Sequence, residues 1–253
     1  MTLHVETMGA GPDLVLLHGW GLHSGAWAEI VPSLAARFRV HAVDLPGHGR
    51  SAKSPAARFD DAVDELAALV PDGAAICGWS LGGLLAQRLA QRHPAKARQL
   101  VLAAATPCFV ERPDWPHGMS AATLDAFAAG LAGNREATLA NFVRLNALHG
   151  AHGRDAIRAF TGRLFERGGP DGAALATTLG WLRDTDLRHD TAAMRVAALV
   201  IHGTRDALAP IQAGHWLATN IHGAQLVELS DAAHLPFFTH RQAFLDAVES
   251  FVG

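Results

Sequence analysis

Short apolar runs rich in Val, Leu and Ile recur along the chain and predict buried strands. Between most of these runs stand helix-length segments whose apolar residues share one face. Such an alternation predicts the α/β class, with a mostly parallel central sheet and helices on both of its faces. The predicted strands are 14–17, 40–43, 74–77, 100–104, 199–201 and 226–229, and the intervening predicted helices include 26–38, 59–70 and 81–93.

The strand–helix rhythm stops between about residues 107 and 190, where helical patterns follow one another. Since the strands on both sides are needed to complete one sheet, we predict a single domain over 1–253, with a helical cap inserted at about 110–188. Thr239 and Gln242 fit a capping box that would start the last helix. The four helical patterns of the cap are 124–131, 137–148, 156–165 and 173–182.

Composition and charge narrow the functional classes. Apolar residues make up 49% of the chain and charged residues 18%, which indicates a folded globule. A net charge of -3 offers no basic stripe for a polyanion, so nucleic acid is not expected as a partner. No stretch suits a secretory signal or a membrane span, and we expect a cytoplasmic monomer without membrane contact.

Two residue types that often carry special chemistry are expected to be inert here. Cys77 and Cys108 are too far apart for a metal or redox motif, and we expect both to be reduced and buried. His149 and His152 form the tightest histidine pair, but no carboxylate or thiolate cluster completes a ligand set around them. The sequence therefore predicts no metal site, and the chemistry below requires no cofactor.

A candidate nucleophile lies in Gly78-Trp79-Ser80-Leu81-Gly82, directly after a predicted strand and before a predicted helix. A sharp turn of this kind displays a serine at the carboxyl end of the strand, and its small residues let strand and helix approach closely. We predict that Ser80 is a catalytic nucleophile. The alternative is a plain strand-to-helix turn with a solvent-exposed serine.

Two main-chain N–H groups are candidates for stabilising an oxyanion. Leu81 stands at the amino terminus of the helix that follows Ser80, where N–H groups point outward. The loop His18-Gly19-Trp20-Gly21 follows an early strand, and its glycines allow the N–H of Trp20 to turn toward the nucleophile. His18 is interpreted as a buried structural histidine.

Two later loops supply an acid and a base. Asp206 follows an apolar run, where its carboxylate can orient an imidazole; an Asx turn or a helix cap is the alternative. His234 lies in a loop before the last helix and is predicted to be the general base, against the alternative of an ordinary loop histidine. The chain order Ser80, Asp206, His234 is typical of hydrolases whose serine lies in a strand–turn–helix.

The chain resembles the α/β-hydrolase superfamily over essentially its whole length. The resemblance rests on the elements above and on Asp44-Leu45-Pro46-Gly47-His48-Gly49-Arg50-Ser51 after the second strand. More narrowly, the chain is similar to the pimeloyl-acyl-carrier-protein methyl ester esterases of biotin synthesis. This closer similarity is carried by residues 16–22, by residues 78–84, and by Pro107-Cys108-Phe109 with Trp115-Pro116.

The resemblance implies a serine carboxylesterase that hydrolyses the methyl ester of pimeloyl-acyl-carrier protein through an acyl-enzyme on Ser80. An apolar acyl chain would suit Phe142, Leu145 and Trp79, because burying its methylenes is favourable. The positions that match the family's substrate contacts are Trp20, Ser80, Leu81, Phe142, Val143, Arg144, Leu145 and Asn146.

Cations of the cap are candidates for contact with a carrier protein. Arg154 and Arg158 lie four residues apart, so they share one helix face and could meet the phosphate and acidic surface of the carrier. Arg144 and Arg163 are expected nearby. The alternative is a solvated charged face whose arginines pair with neighbouring carboxylates.

Other functions of the same fold remain open at the level of sequence. A general short- or medium-chain carboxylesterase or a carbon–carbon-bond hydrolase would use the same catalytic groups, and haloperoxidase-like activity is a further alternative. A dehalogenase or an epoxide hydrolase is disfavoured, since those enzymes place a carboxylate where this chain has Ser80. A different class of alternative is a catalytically inactive protein that uses the fold to bind a ligand.

Overall fold

The computed structural model describes residues 3–51, 58–167 and 169–253. Within these residues a seven-stranded sheet has the order β1-β3-β2-β4-β5-β6-β7. β1 is antiparallel to β3, and all other neighbours are parallel. The predicted mostly parallel α/β sheet is therefore confirmed. Its strands are β1 Val5–Met8, β2 Asp13–Leu17, β3 Arg39–Val43, β4 Ala74–Trp79, β5 Ala97–Ala103, β6 Ala197–Gly203 and β7 Gln225–Leu229.

All six predicted strands are present. The central strands are almost uniformly buried because helices cover both faces of the middle of the sheet. Every residue of β4, for example, is buried. The sequence analysis missed β1, a half-exposed edge strand in which polar Glu6 and Thr7 alternate poorly with apolar residues. Its strand conformation depends on pairing with β3, from Val5 opposite Val43 to Met8 opposite Val40.

The order of the strands reverses between β2 and β4. The chain leaves β2 toward β3 and leaves β4 toward β5, so right-handed crossovers place the two connections on opposite faces of the sheet. In agreement, α2 packs on α3, whereas α1 packs on α11. These helices are α1 Val31–Leu34, α2 Phe59–Leu69, α3 Leu81–Arg92, α9 Ile211–Asn220, α10 Pro236–Thr239 and α11 Arg241–Val252. A reversal of this kind leaves a crevice at the carboxyl ends of the strands, where ligands bind.

The segment between β5 and β6 is helical, in the part of the chain where the cap was expected. Three of its helices begin at side-chain caps: Ser120, Asn134 and Asp171 each accept a hydrogen bond from a main-chain N–H of the first turn. α4 packs against both α5 and α7. The cap helices are α4 Ala121–Gly133, α5 Arg135–Asn146, α6 Gly153–Arg163, α7 Gly172–Asp184 and α8 Arg188–Thr191.

Two predicted helical features are wrong. The helix predicted over 26–38 is broken into a 3₁₀ turn at Ser24–Trp27 and the short α1, because Pro32 has no N–H to continue a helix through this segment. The capping box at Thr239 also fails. Thr239 ends α10 and its hydroxyl donates to the carbonyl of Leu235, while α11 starts after His240 without a side-chain cap.

Among the described residues, no helix combines the length and the apolar character that crossing a bilayer would require.

Candidate active site

Ser80 occupies a strained turn between β4 and α3. Its φ and ψ angles are 55° and -116°, a conformation that is costly for a residue with a side chain. The turn is held by its hydrogen bonds: the N–H of Ser80 donates to Ala103 at 3.1 Å, and the Ser80 carbonyl accepts from Gly83 and Leu84. The surrounding structure thus fixes the hydroxyl at the carboxyl edge of the sheet.

Glycines on either side of Ser80 let α3 approach the sheet. A Cβ atom at Gly82 would lie 2.1 Å from the carbonyl oxygen of Leu17, and one at Gly78 would lie 2.4 Å from the carbonyl oxygen of Gly82. Only glycine fits at such distances. Because Leu17 ends β2, the amino terminus of α3, with the N–H of Leu81, lies beside the start of the Trp20 loop.

Asp206 and His234 meet in the loops that follow β6 and β7. The Nδ1 atom of His234 lies 2.7 Å from Oδ2 of Asp206, and both side chains are almost completely buried. The other carboxylate oxygen accepts from the N–H groups of Leu208 and Ala209, each at 2.9 Å. When Nδ1 of His234 donates its proton to Oδ2 of the Asp206 carboxylate, the lone pair of the neutral ring is on Nε2. The Nε2 atom is buried and has no hydrogen-bond partner among the described residues.

The environment keeps Asp206 ionised. Burial raises the pKa of this carboxyl, but the charge and hydrogen bond of His234, together with His202 and the N–H of Ala209, outweigh that effect and hold the pKa below its ordinary value. His202 also donates from Nε2 to the carbonyl of Ala209 at 2.6 Å. It thereby supports the turn that carries Asp206.

The main chain of His234 is tied to two different parts of the molecule. Its carbonyl accepts from the indole Nε1 of Trp79 at 2.7 Å, and its N–H donates to the carbonyl of Asn146 at 3.0 Å. Trp79 directly precedes Ser80, and its ring centre lies 5.8 Å from that of His234. The Ser80 turn and the His234 loop are therefore neighbours. Trp79 is fully buried, and its indole supports the main chain of His234.

The Trp20 loop is fixed from both sides. The Trp20 indole donates to the carbonyl of Leu175 at 3.1 Å, and its ring centre lies 4.8 Å from that of Phe142 in the cap. The next residue, Gly21, has a φ of +73° and donates its N–H to Nε2 of His48 at 3.2 Å. The loop that offers the N–H of Trp20 is thus anchored by the cap and by a buried histidine.

His18 is a buried structural histidine, as predicted. Its Nδ1 donates to the Gly19 carbonyl, and its Nε2 accepts from the N–H of Leu45 at 3.0 Å. Burial lowers the pKa of His18 to about 3, and repulsion from His48 acts in the same direction. The sequence analysis noted the motif at 44–51 but not that His48 anchors the Trp20 loop. This role, accepting a hydrogen bond from the N–H of Gly21, depends on a contact across 27 positions of the chain that the sequence does not reveal.

The predicted substrate contacts of the cap divide between two sides of α5. Phe142, Val143 and Asn146 are buried, and the Phe142 ring packs on the Trp20 loop. Arg144 is exposed and Leu145 is half-buried. These two residues line an apolar groove of about 640 Å³ between α4 and α5. The structure therefore places Phe142 against the Trp20 loop, whereas Arg144 and Leu145 face the apolar groove.

The basic residues of the cap gather at a second groove, hereafter the basic groove. Arg144, Arg154 and Arg158 line this groove of about 940 Å³, together with His149 and His152. Arg158 is exposed and pairs with Asp155 at 2.6 Å. Arg163, which was expected nearby, pairs instead with Glu29 at 2.6 Å because the end of α6 lies against the sheet domain.

Cys77 and Cys108 are free and buried, as predicted. Burial raises the pKa of the Cys77 thiol to about 12 and also raises that of Cys108. Neither thiol is therefore a ready nucleophile. Over residues 3–51, 58–167 and 169–253, His, Cys, Asp and Glu side chains form no group of three that could hold a metal ion.

The fold and the buried Asp206–His234 pair beside a strained serine are those of a hydrolase. The chain belongs to the alpha/beta hydrolase fold family, whose model matches residues 12–241. It is 45% identical to the pimeloyl-acyl-carrier protein methyl ester esterase of Chromobacterium violaceum, over 98% of this chain and 97% of that protein. The enzyme of the same name from Aeromonas hydrophila is 40% identical over the full length of both chains.

Solved structures agree with this assignment. An esterase from Exiguobacterium antarcticum superposes with a TM-score of 0.89 and 25% identity, covering 99% of this chain and 95% of that one. A bromoperoxidase from Bacillus anthracis gives a TM-score of 0.88 at 25% identity, covering 98% and 94% of the two chains. Since one fold serves both activities, the fold alone does not select the substrate.

Proposed function

We propose that this chain is a serine carboxylesterase that hydrolyses the methyl ester of pimeloyl-acyl-carrier protein in biotin synthesis. The main supporting observation is the buried 2.7 Å contact between His234 Nδ1 and Asp206, in a loop whose His234 carbonyl is hydrogen-bonded by Trp79, the residue directly before Ser80. The substrate is suggested by two relatives, 45% and 40% identical over 97% or more of both chains, that are named as pimeloyl-acyl-carrier protein methyl ester esterases.

The proposed reaction has two steps. Ser80 Oγ attacks the ester carbonyl while His234 Nε2 takes the serine proton, and the imidazolium is stabilised by Asp206. His234 then returns the proton to the departing methoxy oxygen, and methanol leaves an acyl-enzyme. Water attacks this ester with His234 again as the base, which releases the free carboxylate and restores Ser80.

The N–H groups of Trp20 and Leu81 are the proposed oxyanion donors. Leu81 begins α3, so its N–H belongs to the first turn, where main-chain donors have no helical partner. Trp20 follows β2, the neighbour of β4 in the sheet. Loss of one such donor costs about 10² to 10³ in rate in other enzymes.

The acyl chain is proposed to lie along the buried side of α5. Phe142 and Val143 provide apolar surface there, and each methylene removed from water contributes about 0.8 kcal/mol. Arg144 and Leu145 face the apolar groove on the other side of α5 and would contact more distant parts of the substrate. Asn146 is proposed as a contact at the end of the helix.

The basic groove is the proposed docking site for the carrier protein. Arg144, Arg154 and Arg158 can pair with phosphate and carboxylate groups of an acidic partner. Arg154 and Arg158 are exposed, so docking would not require a buried charge to be uncovered. The carrier would then stand beside the cap helix that carries the proposed acyl contacts.

Labelling with a fluorophosphonate tests the proposed chemistry. We expect one equivalent of label on Ser80, and none in Ser80→Ala or His234→Ala. Circular dichroism of both variants checks that they fold. An unmodified Ser80 in the folded wild-type protein would instead support a ligand-binding protein without catalytic activity.

Steady-state kinetics test the proposed substrate. The enzyme should hydrolyse pimeloyl methyl ester on carrier protein with a higher kcat/KM than p-nitrophenyl acetate or butyrate. The double variant Arg154→Glu/Arg158→Glu should lower kcat/KM for the carrier-linked ester at least tenfold and leave the small esters unchanged. Arg183→Glu is the control, since Arg183 is an exposed cap arginine that pairs with Asp184 outside the basic groove. Equal losses in both variants would contradict docking at the groove.

A further inference from the structure

The connection between α5 and α6 is hydrogen-bonded to the loop that carries His234. The Asn146 carbonyl accepts from the N–H of His234 at 3.0 Å, and the N–H of Ala151 donates to the Asp231 carbonyl at 2.7 Å. We call residues 146–152 the junction segment. It attaches the cap to both ends of the short loop that contains the proposed base.

Close packing reinforces these two hydrogen bonds. A Cβ atom at Gly150 would lie 2.7 Å from Cβ of Ala233 and 2.9 Å from its main-chain nitrogen. Gly150 is not among the glycines with a left-handed φ, so the contact with Ala233, and not its backbone conformation, requires glycine here. A larger residue at position 150 would push directly on the neighbour of His234.

Backbone strain is concentrated at this contact. His149, His152 and Asp231 have φ angles of 63°, 55° and 60°, in the left-handed region that residues with side chains seldom adopt. The other non-glycine residues of this kind in the described chain are Ser80 and Ala104. Such strain persists only where surrounding contacts enforce it, and it is concentrated at functional sites.

The opposite side of the junction segment forms part of the basic groove. Residues 147–150 and His152 line the groove together with Arg144, Arg154 and Arg158. An occupant of the groove would therefore touch a segment whose other side is bonded to the His234 loop. The segment has contact with both places without any intervening element.

We propose that the junction segment is a positioning element that couples occupation of the basic groove by the carrier protein to the placement of His234. The inference rests on the proposed function, in which His234 is the base and the carrier protein docks at the groove. It adds that docking changes the rate of the chemical step as well as the affinity for the carrier.

The physical basis is that the His234 main chain has one anchor in the sheet domain and one in the cap. Trp79 holds the carbonyl, and the junction segment holds the N–H. Movement of the segment thus changes the position of the imidazole relative to Ser80. A displacement of about 1 Å in a catalytic group can cost about 10² in rate.

The first test changes the junction without changing any group that touches substrate. Gly150→Ala should lower kcat for p-nitrophenyl acetate about tenfold or more, counted per active site titrated with fluorophosphonate, with KM within about twofold. Gly162→Ala on α6 is the control, because a Cβ there meets nothing within 4 Å. The double variant Gly150→Ala/Ala233→Gly should recover part of kcat. A merely structural contact would lower Tm and the titrated fraction but leave kcat per site unchanged, which would overturn the proposal.

The second test adds carrier protein without its prosthetic group to wild-type enzyme that is hydrolysing p-nitrophenyl acetate. At concentrations that saturate binding, measured by anisotropy of labelled carrier, kcat should change at least threefold, and Arg154→Glu/Arg158→Glu should abolish the change. Saturation with a constant kcat would overturn the coupling and leave the proposed function standing. A carrier protein that does not bind at all would overturn docking at the basic groove and the coupling with it, whereas failure to hydrolyse the carrier-linked ester would overturn the proposed function.

Discussion

The carboxylate of Asp206 accepts from His234 through one oxygen and from Leu208 and Ala209 through the other. Asp206→Asn keeps the size of this side chain and the acceptor for the two amides, but it removes the charge and favours the wrong imidazole tautomer. We expect kcat for p-nitrophenyl acetate to fall by about 10⁴, the loss seen for this change in a serine protease. Activity assays of the variant check the prediction, provided that its Tm equals that of the wild-type protein. Retention of a tenth of the wild-type kcat would contradict it.

Two buried histidines, His18 in the Trp20 loop and His48 beside it, link folding to pH. Burial lowers the pKa of His48 to about 4 and that of His18 to about 3. The unfolded chain has ordinary histidine pKa values near 6.5, so it takes up these protons first as the pH falls. The stability contributed by the neutral rings is therefore fully present above pH 6.5 and is lost as the pH falls toward 4.

His48→Gln tests this linkage, because an amide can still accept from the N–H of Gly21 but does not titrate. Between about pH 6 and pH 4.5, the free energy of unfolding of wild-type protein should fall more steeply than that of the variant, by up to about 1.4 kcal/mol per pH unit. Urea denaturation at a series of pH values measures both slopes. Parallel slopes would show that His48 is protonated in the folded protein.

Among the elements, α3 depends most on the absence of side chains. We expect Gly82→Ala to lower the free energy of unfolding by about 3 kcal/mol or more, because its Cβ would lie 2.1 Å from a carbonyl oxygen of β2. Gly180→Ala on α7 is the matched control: nothing lies within 4 Å of its Cβ, and alanine should stabilise the helix by about 0.5–1 kcal/mol. Urea denaturation of both variants decides. Similar effects at the two positions would contradict the packing argument.

Elements whose signal is local could be predicted from the sequence. The central strands β2, β4, β5 and β6 were found because burial on both sides leaves a continuous apolar run, and β3 and β7 were found from shorter apolar runs. β1 was missed because pairing with β3, and not its own pattern, makes it a strand. The helix predicted over 26–38 is wrong because apolar periodicity carries no information on the missing N–H of Pro32, which prevents one continuous helix.

In the candidate site, too, some contacts follow from local sequence signals and the strand order, whereas others depend on long-range packing. The loops carrying Ser80, Asp206 and His234 all follow parallel strands, so their meeting at one edge of the sheet follows from the topology. The cap contacts do not. Asn146 meets His234 across 88 positions of the chain, and only the packing of the cap on the sheet domain brings them together.

For the whole molecule, the net charge is negative, whereas the proposed docking site carries positive charge. The chain carries a net charge of -3, so an acidic carrier protein is repelled overall and attracted only near the basic groove. Salt weakens attraction between exposed charges, since the Debye length falls from about 10 Å at 0.1 M to about 3 Å at 1 M. We expect KM for the carrier-linked ester to rise at least fivefold over this range, while KM for p-nitrophenyl acetate stays within twofold. Equal salt responses of the two substrates would count against electrostatic docking.

The chain has six tryptophans and no tyrosine. One indole is hydrogen-bonded to the His234 carbonyl and another lies in the Trp20 loop, so both emitters are next to the proposed catalytic groups. Intrinsic fluorescence, uncontaminated by phenolic emission, should therefore report acylation and release in real time without any attached dye. The indole that holds the main chain of the proposed base would thus also serve as an optical probe of the reaction.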